Sequence, residues 1–468
     1  MNRRNLLLAG AACLAAPSLI TAARAQSAPD ASALGGDDFT PFGAERAASK
    51  SGLVPAWAGG VSTPPAGWEP SMFPPDLFGS EQPLFSVSAD NQDKYASLMC
   101  DGQREMFRRF GGDGFRMDVY PAHRTACAPQ YVYDNTKLNV ARAQPGAGGL
   151  VYGIQGAVCG TPFPIPSSDP NVAGAQIIWN HLQRWGGAYL FTNESNYVVG
   201  SGTRTLTTLV AFWMRAPYYV EGTTPEEYAA HNIYLDEYVE NLAPPNQVGG
   251  KILAKYSSNT QVTPDTAFEY LQGLGRVRQL PGTEYDIPAS EYDDAANYDE
   301  IWGWNGALDR YNWKLLGKKE MIVLYNQHKM HMSQPNDVMG LKFVNPDLTR
   351  YEVHRVWVVE ARLAPGKRHV EPLRRFYVDE DTWAVLATEA YDDQNNLWKF
   401  GQTINQCQPD LPGTRMNGNW LTNFQAANYL FELPFYMAPR PEGGVVPVFT
   451  PISDSRFEQQ SMANSGGL

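Results

Sequence analysis

Tyr351 to Phe400, YEVHRVWVVEARLAPGKRHVEPLRRFYVDEDTWAVLATEAYDDQNNLWKF, constrains the fold more than any other stretch of this chain. His354–Leu363 is rich in Val and carries Trp357, and Ala364-Pro365-Gly366 stops it. Arg374–Val378 is a second run, Asp379-Glu380-Asp381 turns it into Thr382–Tyr391, and Asp392–Asn396 turns that into Leu397–Phe400. Loops this short join antiparallel neighbours, because a parallel return needs a long crossover. The stretch therefore reads as a meander, a unit of barrels and sandwiches. Its strands are apolar on both faces. A sheet covered on one side and enclosing something apolar on the other would need such strands.

The rest of the chain extends the same pattern. Arg204–Val220 predicts a long strand with Leu206, Thr208, Val210, Phe212 and Met214 on one face and Leu209, Ala211 and Trp213 on the other. Further strands are expected at Lys251–Ser257, Thr266–Leu271, Glu320–Tyr325 and Leu341–Phe343. Helices are expected from a Ser88 or Asp90 cap through about Phe110, at Ala175–Trp185, from Thr224 to about Leu242, and at Trp420–Leu433. Thr224 with Pro225, Glu226 and Glu227 is a strong start signal. The 42 Gly and 35 Pro are spread between strands, as in a turn-rich antiparallel protein, with no one linker holding them. Residues 26–85 read as an extended arm on the body, because Trp57, Trp68, Phe73 and Phe78 need burial. Residues 86–468 then form one α+β domain.

The N-terminus reads as a cleavable targeting segment. Arg3-Arg4 precedes an apolar run from Leu6 to about Ala22, and Ala23-Arg24-Ala25 supplies an A-x-A cleavage pattern. NRRNLLL is similar to a twin-arginine signal, although two arginines also suit an ordinary secretory signal. Removing residues 1–25 takes away three arginines and no acid, so the net charge goes from −12 to −15. An acidic, unpatterned balance argues against nucleic acid and against charge-driven docking on anionic lipid. No other stretch is long and apolar enough to span a bilayer. Cys100, Cys127, Cys159 and Cys407 remain, which permits two disulfides in an exported protein or four buried thiols.

Several motifs resemble one family. TPFGAERA, GLVPAWAGG, FRMDVYPAHRTACAPQYVYDNT, GTPFPIP, FEYLQGLGRVRQLP, NGALDRYNWKLLGKKEM and RRFYVDEDTWAVLATEAYD are similar to the DUF1329 family of exported bacterial proteins. The matches run from about Thr40 to about Phe457. Cys127 departs from the family, where a small apolar residue is commoner. The family is similar to the LolA/LolB outer-membrane lipoprotein carriers. The resemblance implies a large curved antiparallel half-barrel with helices plugging or covering one side. It also implies a periplasmic protein that binds a lipid or other hydrophobic molecule, in company with an RND-type transporter or outer-membrane protein. It implies no catalytic residue and no cofactor.

Aromatic residues are the first candidates for a ligand site. Phe212, Trp213, Tyr270, Trp357, Tyr377 and Trp383 fall on expected strands, and an apolar pocket needs such a lining. The plainer reading is that these rings pack under covering helices. Arg276 and Arg278 follow a Gly-containing turn and can meet an anionic head group at the mouth, or pair with the acidic run Glu284–Glu300. His328, Met330, His331, Met332 and Met339 have soft-metal character, but strand spacing would put the histidines on opposite faces. Glu291, Asp293, Asp294, Asp299 and Glu300 fit a solvated loop better than a calcium loop or a hydrolase pair. Asp379, Asp381, Asp392 and Asp393 sit where hairpin turns want Asp. No nucleophile elbow, zinc helix, phosphate loop or dinucleotide fingerprint appears. The leading expectation is a carrier of hydrophobic ligands. The alternatives are a glycan- or polymer-binding protein or hydrolase with aromatic platforms, and an assembly factor for an envelope transporter.

Overall fold

The computed structural model describes residues 30–69, 75–408, 411–434 and 449–464. The short strands β1 (Phe85–Val87) and β2 (Met117–Val119) come first, then a small ribbon of β3 (Gln144–Pro145) and β4 (Ile154–Gln155). The main sheet follows as two meanders. The first is β5 (Tyr189–Gly200), β6 (Thr203–Arg215), β7 (Ile233–Ala243), β8 (Lys251–Ser257), β9 (Thr266–Leu271) and β10 (Arg276–Gln279). The second is β11 (Tyr311–Leu324), β12 (Tyr351–Leu363), β13 (Leu373–Asp379), β14 (Val385–Tyr391), β15 (Leu397–Gln408), β16 (Gly413–Asn423) and β17 (Asn428–Pro434). Each strand pairs antiparallel with its predecessor inside its meander. The last strand of the second meander then pairs with the first strand of the first, with Phe431 opposite Tyr197 and Glu432 opposite Asn196. Beside β12, the β1–β2 hairpin attaches through a parallel contact of Tyr351 with Val119. The sheet is curved and open; its strand path ends at β1 and β10, and β11 pairs with β12 alone.

The helices are short: α1 (Asp101–Phe110), α2 (Gln130–Arg142), α3 (Pro170–Leu182), α4 (Pro225–Ala229), α5 (His328–His331), α6 (Pro335–Val338) and α7 (Gln459–Asn464). None of the described helices is long and apolar enough to cross a membrane. α3 starts at Asp169, whose carboxylate accepts from the Asn171 amide at 2.9 Å, with Pro170 in the first turn. It covers one sheet face, called here the inner face, together with the irregular segment 284–305, called the plug. On that face register places Trp357, Val359 and Ala361 of β12 opposite Val378, Phe376 and Arg374 of β13. α1 covers the outer face. Its Gly102 amide donates to Glu389 at 2.7 Å, and a Cβ there would strike the Phe400 ring. The outer face of the first meander lies under the C-terminal segment, where Phe457 and Met462 pack on Trp213, Tyr238 and Leu253.

The Tyr351–Phe400 meander forms with nearly the predicted boundaries, and its turn acids are structural. Asp392 accepts from the amides of Gln394 and Asn396 at 3.0 and 2.8 Å, and Asp379 accepts from the Thr382 hydroxyl at 2.6 Å. Trp383 lies in that second turn at φ +61°, not on a strand. The N-terminal arm lies on the body. Trp57 Nε1 donates to the Ala126 carbonyl at 3.0 Å, and the Glu45 carbonyl accepts from Arg124 and Arg355 at 2.8 and 2.6 Å. Phe73 and the targeting segment lie outside the described residues.

Four helix or strand expectations change. The Ser88 helix breaks into a 3-10 turn, Gln92–Leu98, and α1, because Met99 and Cys100 are extended and Cys100 becomes the cap. The Thr224 helix starts as predicted, its hydroxyl accepting from the Glu227 amide at 3.2 Å, but Asn232 at φ +59° ends it. Residues 233–243 then take a place between β6 and β8, where Tyr234, Asp236, Glu237 and Tyr238 are buried. The Trp420–Leu433 stretch is the β16–β17 hairpin, turning through Ala427 at φ +52°. Its apolar residues fit both periods, and pairing with β15 and β5 decides. Leu341–Phe343 forms no strand. The four cysteines are buried and free of disulfides.

Gly174 lets α3 touch the sheet. A Cβ there would sit 2.7 Å from the Lys314 amide nitrogen and 2.9 Å from the Trp313 carbonyl carbon, both backbone atoms of β11. Gly174→Ala is expected to cost about 1–3 kcal/mol, read as a lower denaturant midpoint. An unchanged midpoint would rule out this close approach.

Candidate functional site

Buried charge holds the plug on the inner face. Asp299 meets Arg374 and His369, each at 2.8 Å. Glu300 meets Lys399 at 2.6 Å. Glu371 joins the two pairs, 3.1 Å from Arg374 and 2.9 Å from Lys399. Asp299, Glu300, Glu371, Arg374 and Lys399 are all buried. This corrects the expectation of a solvated acidic loop, since only Asp293 and Asp294 of that run are exposed. Burial alone would raise Glu371, but Arg374, Lys399 and His369 outweigh it and hold the carboxyl at about 2. Burial and the neighbouring Glu371 push Glu300 up to about 7. α3 adds a neutral link: His181 Nδ1 accepts from the Val385 amide at 3.0 Å, and Nε2 lies 3.1 Å from the Trp304 carbonyl. Burial lowers the His181 pKa well below its ordinary value.

Removing Arg374 leaves Asp299 and Glu371 buried without their main cation. Arg374→Ala is expected to cost about 3–5 kcal/mol. Hydrogen exchange in residues 284–305 should rise more than in β15. Equal exchange in both segments would show that these ion pairs do not hold the plug.

The seam between plug and sheet contains four spaces that share lining residues. A groove of about 890 Å³ lies beside the β7–β8 and β9–β10 turns, with Val248, Tyr270, Leu274 and Glu291 in its wall. Glu291, Asn241 and Ile252 are common to it and a chamber of about 60 Å³ lined by Glu194, Asn196, Phe212, Glu237, Tyr292 and Glu432. Trp302 separates that chamber from another of about 60 Å³ with Arg184, Trp185, Met214, Tyr219 and Arg415. Leu182, Tyr234 and Asn305 then border a space of about 270 Å³ near Trp179, Asp265 and Glu284.

The glutamate chamber is the chemically distinctive part. Glu237 accepts from Trp302 Nε1 at 3.1 Å and from the Tyr256 hydroxyl at 3.3 Å. Burial raises Glu237 to about 7 despite those bonds and Arg184. It raises Glu194 to about 7 as well, with Arg415 opposing and Glu237 adding. Burial and the neighbouring Glu194 and Glu237 raise Glu432. A carboxyl raised in the fold stabilises it below its unfolded pKa and loses that contribution as pH rises through the folded value. These groups therefore weaken the fold between pH 4.5 and about 7. Glu371, held at about 2, acts in the opposite direction and only below pH 4.5. Glu194→Gln should flatten the loss of stability between pH 5 and 7 by on the order of 1–3 kcal/mol. Denaturant melts across that range check this, and a slope equal to that of the unaltered protein would refute it.

The candidate residues divide among faces. Phe212 lines the glutamate chamber. Trp357 and Trp383 lie on the inner side, stacked at 6.2 Å and 7°, but under the arm: Trp383 Nε1 donates to the Phe42 carbonyl at 3.1 Å. Trp213 faces the outer side, with Arg456 over its ring at 4.6 Å. Tyr270 packs in that same outer cluster and also edges the groove. Tyr377 is an outer-face residue whose hydroxyl donates to Glu389 at 3.0 Å. Arg276 and Arg278 sit on end strand β10, and Arg278 pairs with Glu269 across the hairpin at 2.7 Å, not with the acidic run. His328 and His331 are buried on α5, a helix rather than a strand, with the His328 ring nitrogens beside the Asn326 and Cys407 carbonyls. His354, Asp379 and Asp381 bring ligand-type atoms within 4.8 Å of one another. There Arg124 grips both oxygens of Asp381 at 2.6 and 2.8 Å, and His354 Nε2 lies 3.0 Å from Glu352.

Sequence reasoning missed Glu194, Glu237 and Glu432. A signal was available for Glu432 alone, a single acid in the apolar run NYLFELP, whereas Glu194 lies in the polar run Thr192–Asn196 and Glu237 follows Asp236.

Residues 86–462 match the family described as protein of unknown function DUF1329. The chain is 34% identical over 395 residues to an uncharacterized protein of Pseudomonas aeruginosa, covering 83% of this chain and 84% of the relative. Among solved structures it is similar to a DUF1329 protein from Desulfovibrio piger, at 13% identity and TM-score 0.43, covering 63% of this chain and 100% of that one. It is also similar to a putative outer membrane lipoprotein-sorting protein domain from Vibrio parahaemolyticus, at 15% identity and TM-score 0.40, covering 62% and 98%. A LolA superfamily protein from Nitrosomonas europaea matches at 10% identity and TM-score 0.35, with the same coverage. The chain belongs to the DUF1329 family.

Proposed function

We propose that this DUF1329 protein is an exported carrier that shelters a lipid or other hydrophobic small molecule along the seam between the inner sheet face and the plug. The supporting observation is the seam itself, a line of four spaces with rings and aliphatic side chains in its walls. Its two inner chambers hold about 60 Å³ each, well below the roughly 300–1,000 Å³ of an occupied small-molecule pocket. A ligand that reaches past the groove of about 890 Å³ into these chambers must therefore take room now held by the plug. Burying an acyl chain of about twelve methylenes gains roughly 10 kcal/mol before ordering costs. Breaking one buried ion pair of the kind that holds the plug costs about 3–5 kcal/mol. Loading and unloading then exchange terms of similar size, as a carrier requires. In the periplasm an RND-type transporter or outer-membrane protein would be the donor or acceptor.

A Cβ at Gly303 would lie 3.2 Å from the Val385 Cβ, slightly inside the roughly 3.5–4.5 Å of a disulfide, and Gly303 holds φ +78°, so the bridge closes only with a small local shift. Gly303→Cys with Val385→Cys should lock the plug. Oxidised protein is expected to take up the neutral dye Nile red at least tenfold more weakly than reduced protein. Equal uptake in both states would sink plug displacement. Native mass spectrometry of protein from its own periplasm should find a bound apolar molecule, and consistently empty protein that also fails to take up dye would overturn the carrier reading.

A further inference from the structure

The chamber sets the carboxyls of Glu194, Glu237 and Glu432 among apolar walls that include Val210, Phe212 and Ile252. Glu432 on β17 lies opposite Asn196 on β5, two residues from Glu194, so the two carboxyls are diagonal neighbours on adjacent strands. Glu237 approaches from β7, beyond β6. Glu194 and Glu432 are buried and take part in no ion pair and no side-chain hydrogen bond among the described residues. The Asn196 side chain, 3% exposed, lines the same space with its Oδ1 unpartnered. Its amide group is used, donating to the Thr208 hydroxyl at 2.9 Å. Three carboxyls and the Asn196 side chain thus line one small volume with the rings of Tyr256, Tyr292 and Trp302. Buried carboxyls without a partner ask for one, and a small cation with several N–H donors can serve more than one of them.

We infer that this chamber receives the protonated primary amino group of an amphiphile, whose apolar tail follows the seam past Phe212, Val239 and Ile252. The inference rests on the carrier reading for the tail but not for the head group. Hydrogen bonding argues for a primary ammonium, whose three N–H donors can reach several carboxyl oxygens, whereas a trimethylammonium has none. The lone divalent-type grouping among the described residues is His354 with Asp379 and Asp381, so the three glutamates do not converge as metal ligands do. The charged and titratable groups around the chamber are Arg184 and Arg415 from the next space, Glu291 from the groove, and the Tyr256, Tyr292 and Tyr298 phenols. Glu194 and Glu237 stay protonated up to about pH 7 in the empty chamber. An arriving ammonium would make them ionise, so binding near pH 6.5 should release a proton.

The mature protein is loaded with Nile red and titrated with dodecylamine, dodecanol, dodecanoate and dodecyltrimethylammonium. Dodecylamine is expected to displace the dye at a concentration at least tenfold below dodecanol, with the other two weaker still. In the Glu194→Gln, Glu432→Gln double variant the preference for amine over alcohol should fall below twofold. Calorimetry at pH 6.5 in buffers of different ionisation enthalpy should show about one proton released per dodecylamine, and fewer at pH 8.5. Dodecanol matching dodecylamine, or a preference that survives in the double variant, overturns the inference. If neither dye nor dodecanol binds, the carrier reading fails instead. Butylammonium then decides the chamber: raising the melting temperature of the unaltered protein but not of the double variant upholds it, and raising neither overturns it.

Discussion

Everything on the inner face depends on holding five charged groups out of water. Asp299 and Glu300 come from the plug, while Glu371, Arg374 and Lys399 come from the sheet. Desolvation makes each costly alone, and close pairing offsets the cost only while all partners stay in place. Such a clamp stabilises little in net terms but tolerates few alternative positions of the plug. The same pairs set where Trp302 and Trp304 lie, since Arg374 sits over the Trp304 ring at 4.7 Å and Gly303 packs against Val385. Trp302 in turn separates the two small chambers.

The fold was legible where the local signal and the pairing agreed. Lys251–Ser257 and Thr266–Leu271 form as predicted because alternation, flanking turns and neighbours coincide. Trp420–Leu433 misled because a residue set spaced for a helix face can also alternate, and only strands distant in sequence reveal the choice. Thr224 misled differently: a capping box reports where a helix begins and says nothing of its length.

The site was less legible than the fold. Strands apolar on both sides hide which side is inner, so Phe212 and Trp213, adjacent in sequence, looked alike and lie on opposite faces. Register across β6 and β7 settles it, and register is a property of pairs of strands. Aromatic content drew attention to rings that turn out to seal the arm and the C-terminal segment. The chamber carboxyls were harder to see, since Glu237 follows Asp236 and Glu194 lies among Thr192, Asn193, Ser195 and Asn196, and burial of such a group shows only in the fold.

The join between β17 and β5 has a consequence for how the molecule comes to exist. Residues 428–434 pair with residues 194–200, more than two hundred positions earlier. Contacts so distant in sequence close late and slowly. Until that closure, Glu432 and Glu194 belong to two separate meanders, each with an exposed strand edge. The acidic chamber therefore cannot form in a chain whose two meanders have not yet paired. An emerging chain would be spared a ligand site before its sheet is complete.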